Sequence, residues 1–276
     1  LALTGGKFFA NRWAGWLTLR LIWGLQAKPI NRIRVGLGLP PHTASRYLDA
    51  VAAIPAVHGI SAHVSPRPDD WPDWVHMVGY WFHDAEVDGW APPPALSAFL
   101  EAGETPIYVG FGSMTSRDPE ATFRMVSEAA ARTGQRAVVV SGWSGLRVED
   151  VPPHVYLLDK VPHTWLFPRV KAVVHHGGAG TTGTGLRWGK PTFIIPHLGD
   201  QVYWGRRVAE LGVGVKAINR VDLTLDKLTR GIERLTTSDE MLRRAEGLGQ
   251  RIRAEDGVSA GVAAIEREAR RLGVGV

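Results

Sequence analysis

The 276-residue chain contains no cysteine. That excludes a disulfide framework, thiolate metal ligands and a cysteine nucleophile, and it leaves the redox compartment undetermined. Charge-free apolar runs are short. The N-terminal stretch LALTGGKFFANRWAGWLTLRLIWGLQ is interrupted by Arg12 and Arg20, so its longest run falls well short of the roughly twenty residues a membrane-spanning helix needs. No D-x-D sequence occurs, which removes sequence support for a metal-carboxylate diphosphate site. Neither H-x-H nor H-E-x-x-H supplies a zinc pattern. Acidic residues are outnumbered by basic ones, giving a net charge of +5. The basic residues form no clustered stripe, so a nucleic-acid partner is not expected.

What is present is a large apolar fraction, 45% of residues, enough for a packed core. The N-terminal stretch does not begin with Met and has no basic leader region. An amphipathic helix is expected from about Phe8 to Gln26, rich in Trp13, Trp16, Leu17, Leu21, Ile22 and Trp23. Packing into a domain core is its ordinary role, and contact with a lipidic substrate or membrane surface is the alternative. The abrupt start suggests part of a longer polypeptide. Proline-rich RPDDWPDW (67–74) and GWAPPPALSAFL (89–100) follow, and consecutive prolines in the second suggest an extended interdomain linker.

From residue 106 onward the pattern is regular. Short apolar runs PIYVGF, RAVVVS, VYLLD, KAVVHH and PTFIIP read as buried strands. Helical stretches alternate with them, one opening at Asp118-Pro119 and another capped by Asp200 and stopped at Gly212. A last helical region is expected from about Leu225 to Leu272. This alternation predicts an α/β fold with a parallel sheet covered on both faces.

The densest signal is HHGGAGTTGTG (175–185), with five glycines in nine residues at a strand-to-helix turn. Glycines let the backbone approach a phosphate, and the first amides of the next helix face it with the positive end of the helix dipole. Thr181, Thr182 and His176 can add donors. Gly178, Gly180 and Gly183 also satisfy the G-x-G-x-x-G dinucleotide pattern, which is weak alone. Its context disagrees: the loop comes late in its domain, the helix is short, and Asp200 lies past the strand tip beside Gln201. GLRWGKP fails as a phosphate-binding P-loop because Pro191 stands where Ser or Thr would coordinate magnesium. A tight packing turn and a nicotinamide site remain the alternatives.

Several motifs in order resemble one family. YVGFGSM (108–114), SGW (141–143), VPHTWLFPRVKAVVHHGGAGTT (161–182), LRWGKPT (186–192) and GDQVYWGRRVAELGVG (199–214) are similar to the donor-binding domain of family 1 glycosyltransferases. The likeness is greatest to the sterol 3β-glucosyltransferase group and to bacterial enzymes that glycosylate antibiotic aglycones. Upstream, NRIRVGLGLPP (31–41), SPRPDDWPDW (65–74) and VGYWF (78–82) resemble the end of that group's N-terminal domain.

The resemblance implies a GT-B fold: a Rossmann-like donor domain over 106–276 with C-terminal helices, a linker over 91–105, and part of an acceptor-binding domain over 1–90. It implies inverting, metal-independent transfer of a hexose, glucose by preference, from a UDP-sugar co-substrate to a hydroxyl of a sterol or polyketide. No other cofactor is implied. His176, Gly178, Ala179, Gly180 and Thr181 would hold the diphosphate, with Ser113 close by. Backbone near Val161 and His163 would hold the uracil, and Asp200 with Gln201 would bind the sugar hydroxyls, where acid and amide can both accept and donate. Thr184 stands where plant relatives often carry a ribose-binding Glu. The general base is expected upstream of this chain, and no motif assigns His58, His63 or His83 that role. A nucleotide-sugar-binding fragment without turnover is the alternative. The expected setting is cytoplasmic, with peripheral membrane contact open.

Overall fold

A computed structural model of the chain describes residues 8–83, 90–110, 118–141, 148 and 150–274. Two compact units are present, one comprising Leu1–Ala56 with Trp71–His76 and the other Val57–Asp70 with Met77–Val276. Residues 57–70 and 77–83 thus belong with the sheet-bearing unit, whereas the sequence reading placed everything before residue 91 in the first domain.

The smaller unit is built on α1 (Phe8–Gly36) and α2 (Ala44–Ala53). The helix expected to end near Gln26 continues through Pro29 and gives way at Gly38, whose φ of 70° only glycine adopts freely. Asn31 fastens the following turn, donating to the His42 carbonyl and accepting from its amide. Thr43 caps α2 by accepting from the Arg46 amide. Trp23 is buried and stacks on Tyr47 at 4.4 Å. The expectation that α1 packs into a core fails elsewhere along it: Trp13, Leu21 and Leu25 are 59%, 63% and 84% exposed. Apolar residues surround most of its circumference, and one short partner helix can cover only one side.

The larger unit carries a six-stranded parallel sheet: β3 (Ile107–Gly110), β4 (Ala137–Val140), β5 (Val155–Leu158), β6 (Val173–His175), β7 (Thr192–Ile194) and β8 (Gly214–Val215). The earlier strands, β1 (Ala56–His58) and β2 (Val75–Met77), stand outside it. Order across the sheet is β5-β4-β3-β6-β7-β8. The strands are short and apolar because both faces are covered. Successive side chains go to opposite sides. Ile107 and Val109 join α4 (Pro119–Arg132) and α8 (Leu225–Thr237) through Phe123, Val126, Leu228 and Ile232, while Tyr108 packs with Leu96, Leu166 and Phe167.

Leu96 lies on α3 (Pro94–Glu101), a helix inside the stretch read as an extended linker. Pro94 sits at the first helical position, where its missing N–H costs nothing. The C-terminal helical region resolves into α8, α9 (Asp239–Arg253) and α10 (Gly257–Arg271). Thr224, Ser238 and Asp256 cap them, each side chain accepting an amide three residues on. Among the described residues no helix is long and apolar enough to cross a membrane.

Candidate functional site

The sheet order reverses between β3 and β6. The chain moves outward from β3 to β4 and β5, then returns to β6 and runs the other way through β7 and β8. The carboxyl ends of those two central strands mark the topological switch point, the usual ligand position in such sheets. Gly110 and His175, the last residues of β3 and β6, are register partners. The glycine cluster begins at this point. It follows the fourth strand of its sheet rather than the first, which removes the topological setting of a G-x-G-x-x-G dinucleotide loop.

Each glycine answers to a different constraint. Gly177 has φ of 94°, and a Cβ there would lie 2.6 Å from Ile194 Cγ2, so turn and packing both require it. Gly178 is the N-cap of α6 (Ala179–Arg187) and brings no side-chain cap. Gly183 lies against the Tyr80 ring. Gly180 is different: it is exposed, and among the described residues a Cβ would meet nothing within 4 Å. Among the described residues, packing does not explain its small size.

The hydrogen-bond ladder of α6 starts with the Thr182 amide donating to the Gly178 carbonyl at 2.9 Å. The amides of Ala179, Gly180 and Thr181 thus precede the ladder, as in every helix N-terminus. With the dipole, they form a positive mouth. Of the two threonines read as added donors, Thr182 is buried and its hydroxyl donates to Gly178 O at 2.9 Å, so it serves the helix. Thr181 is half-buried at the mouth.

His176 is half-buried, and its Nδ1 has no hydrogen-bond partner among the described residues. Burial lowers its pKa, and the Asp200 carboxylate opposes that shift. The same coupling brings Asp200, from the loop after β7, into the electrostatic range of the glycine loop. His163 opens α5 (His163–Leu166) after β5. Its ring stacks on Phe167 at 4.5 Å and its Nε2 is hydrogen-bonded to Tyr108 Oη at 3.0 Å. Burial, reinforced by nearby His176, pushes its pKa down to about 4. Val161 is half-buried and packs on the same cluster.

Asp200 and Gln201 start α7 (Gln201–Glu210), though not as expected. Asp200 has φ −70° and ψ −15° and makes no side-chain cap. That helical backbone turns its carboxylate away from the first amides, which an extended N-cap residue would reach. It accepts instead from Trp204 Nε1 at 3.0 Å and is otherwise exposed. Gln201 is buried, and its Oε1 accepts from the amides of His197 (2.7 Å) and Leu198 (3.2 Å). Gln201 therefore braces the loop after β7 with its carbonyl end.

Ser113 lies outside the described residues. His176, the Gly178–Thr181 turn, Asp200 and Gln201 surround the exits of β6 and β7, with His163 coupled to them from the exit of β5. Sequence reasoning gave no role to His175, Tyr108 or His197. His175 was visible as the first member of the histidine pair, whereas nothing local distinguishes Tyr108 or His197. The His197 Nδ1 meets the Ile195 carbonyl at 3.1 Å, and burial lowers its pKa.

Residues 124–260 match the family described as erythromycin biosynthesis protein CIII-like, C-terminal domain. The chain is 44% identical over 212 residues to a sterol 3-beta-glucosyltransferase of Arabidopsis thaliana, covering 76% of this chain and 33% of that one. Among solved structures, the glycotransferase of kitacinnamycin superposes with a TM-score of 0.71 at 19% identity, over 95% of this chain and 66% of that one. The glycosyltransferase VinC in complex with dTDP gives 0.51 at 27% identity, over 64% and 45%. The chain spans a third or less of the length of the curated relatives it matches. It is a relative of the sterol 3-beta-glucosyltransferases, with an EryCIII-like C-terminal domain over residues 124–260 and the GT-B glycosyltransferase fold.

Proposed function

We propose that the switch point at the exits of β6 and β7 binds the diphosphate of a UDP-sugar, and that the chain serves transfer of its hexose, glucose by preference, to a hydroxyl of a hydrophobic acceptor such as a sterol or polyketide. The observation that carries this reading is Gly180. Among the described residues no contact requires it to be small, and it stands at the mouth of a helix that starts at the topological switch point. A nucleoside diphosphate bound to a 27%-identical relative supports the ligand class, and sterol glucosyltransferases among the relatives support sugar and acceptor.

In the proposed reaction the acceptor oxygen attacks the anomeric carbon with inversion as the bond to the diphosphate oxygen breaks. The acceptor proton passes to a base, for which this chain offers no assigned residue, and the electron pair leaves on the diphosphate. That growing charge is met by the α6 amides and by His176, without a metal ion. The helix mouth contributes roughly 0.3–2 kcal/mol, and hydrogen bonds to a charged phosphate are about twice as strong as neutral ones. Asp200 and the NH2 end of Gln201 bind the sugar hydroxyls, and backbone near Val161 and His163 receives the uracil.

The same residues also fit a second reading, binding of the nucleotide sugar without turnover. Calorimetry with UDP and UDP-glucose, paired with a radiolabelled transfer assay on sterol acceptors, separates the two. Binding with labelled sterol glucoside supports transfer, binding alone supports the second reading, and no binding sinks both.

A further inference from the structure

His175 ends β6 with a fully buried imidazole, where its strand neighbours Val173 and Val174 are apolar. Its Nδ1 accepts a hydrogen bond from the Gly177 amide at 3.0 Å. An imidazole nitrogen that accepts carries no proton, so the neutral ring must hold its hydrogen on Nε2. That Nε2 is buried and has no partner among the described residues. A buried donor with no partner among the described residues carries a cost that a valine or leucine would avoid. Burial, reinforced by His176 and His163, holds its pKa well below the ordinary histidine value, so the ring stays neutral and the acceptor stays available. What the imidazole supplies in return is the bond to Gly177.

That bond falls on the residue where the chain leaves the strand. Gly177 turns with φ of 94° directly before the Gly178 N-cap. The following His176 ring stands edge-on to His175, with centroids 5.9 Å apart. We infer that His175 is the positioning residue of the glycine loop: its Nδ1 pins the Gly177 amide and so sets the turn from which His176 and the Ala179–Thr181 amides reach a diphosphate. The diphosphate part of this inference rests on the donor-site reading above. The pinning does not.

The test compares three variants. Asn places an amide oxygen close to the Nδ1 position, Gln places one near Nε2, and Leu has neither. His175→Asn is expected to bind UDP within about threefold of the unaltered chain. His175→Gln and His175→Leu are expected to lose at least tenfold while circular dichroism and thermal melting show a folded protein. Hydrogen exchange at the Gly177 amide reads the turn without ligand. Protection in the unaltered chain and in His175→Asn, lost in the other two, supports the inference. Equal protection in all three variants, or loss in His175→Asn as large as in His175→Leu, overturns it. If UDP binds to none of these proteins, the donor-site reading falls and the exchange pattern still decides whether His175 sets the turn.

Discussion

At the scale of single residues, Gln201 shows how one side chain can divide its two ends between structure and ligand. Its carbonyl is held by two backbone amides of the loop after β7, which leaves recognition of a hydroxyl to the NH2 end. Gln201→Glu keeps an acceptor for both amides and removes the donors. It is expected to remain folded and to lose discrimination between UDP-glucose and UDP-galactose, read as the ratio of kcat/KM or of Kd for the two donors. An unchanged ratio contradicts the assignment. His176→Ala removes a donor to the diphosphate and is expected to weaken UDP about 10- to 100-fold, the equivalent of a hydrogen bond to a charged group. A calorimetric Kd within twofold of the unaltered chain contradicts it. A pH dependence follows as well. Burial holds the His176 pKa below its ordinary value in the free protein, and a bound diphosphate raises it. UDP-glucose affinity should therefore rise as pH falls through the bound-state pKa, and level off below the free-state pKa. Binding at pH 8 and pH 6 to the unaltered chain and to His176→Gln checks this, and only the former should vary.

At the scale of elements, the glycine loop joins glycines that look alike in sequence and act differently. A Cβ added at Gly180 meets nothing within 4 Å among the described residues, and Gly180→Leu replaces a poor helix former. It is expected to keep or raise stability by about 0.5–1 kcal/mol while abolishing measurable UDP binding. Gly177→Ala forces a side chain toward Ile194 at positive φ and is expected to destabilise folding itself. Urea unfolding beside calorimetry separates the pair, and Gly180→Leu with full UDP affinity contradicts the placement. The sheet strands were legible because short runs such as AVVV are apolar on both faces, as a parallel strand covered on both sides reads. The three C-terminal helices were legible only as one region, although Thr224, Ser238 and Asp256 carry the cap chemistry that divides it. Asp200 was misread as a cap because its residue type is right and its backbone conformation is not.

At the scale of the whole molecule, the site is made by topology. His163, His176 and Asp200 follow three different strands, and the parallel sheet brings the exits of all three to one edge. Motif order implied that convergence through family resemblance, and local pattern alone could not supply it. Equally, no sequence signal set the 57–70 and 77–83 segments with the sheet. There Tyr80 fills the space beside Gly183, and Ser61 Oγ donates to Glu255 Oε1 at 2.8 Å. Burying histidines at the site has a global consequence. The His163 pKa near 4 lies below its ordinary 6.5. Above pH 6.5 the residue is neutral in both states. As pH falls toward 4 the unfolded chain takes up the proton and the folded one does not, so stability is lost across that window. The loss is on the order of 3 kcal/mol from this residue. Urea midpoints from pH 7 to 4.5 should fall more steeply for the unaltered chain than for His163→Gln, and parallel slopes contradict it.

The central claim is that the mouth of α6 holds a diphosphate. A titration of 15N-labelled chain with UDP tests it most directly, by following the backbone amides through the glycine loop. The account predicts saturable shifts largest at Ala179, Gly180 and Thr181, with smaller ones at His176 and Gln201. Saturable binding that leaves those amides unmoved, or shifts centred elsewhere on the sheet, contradicts it.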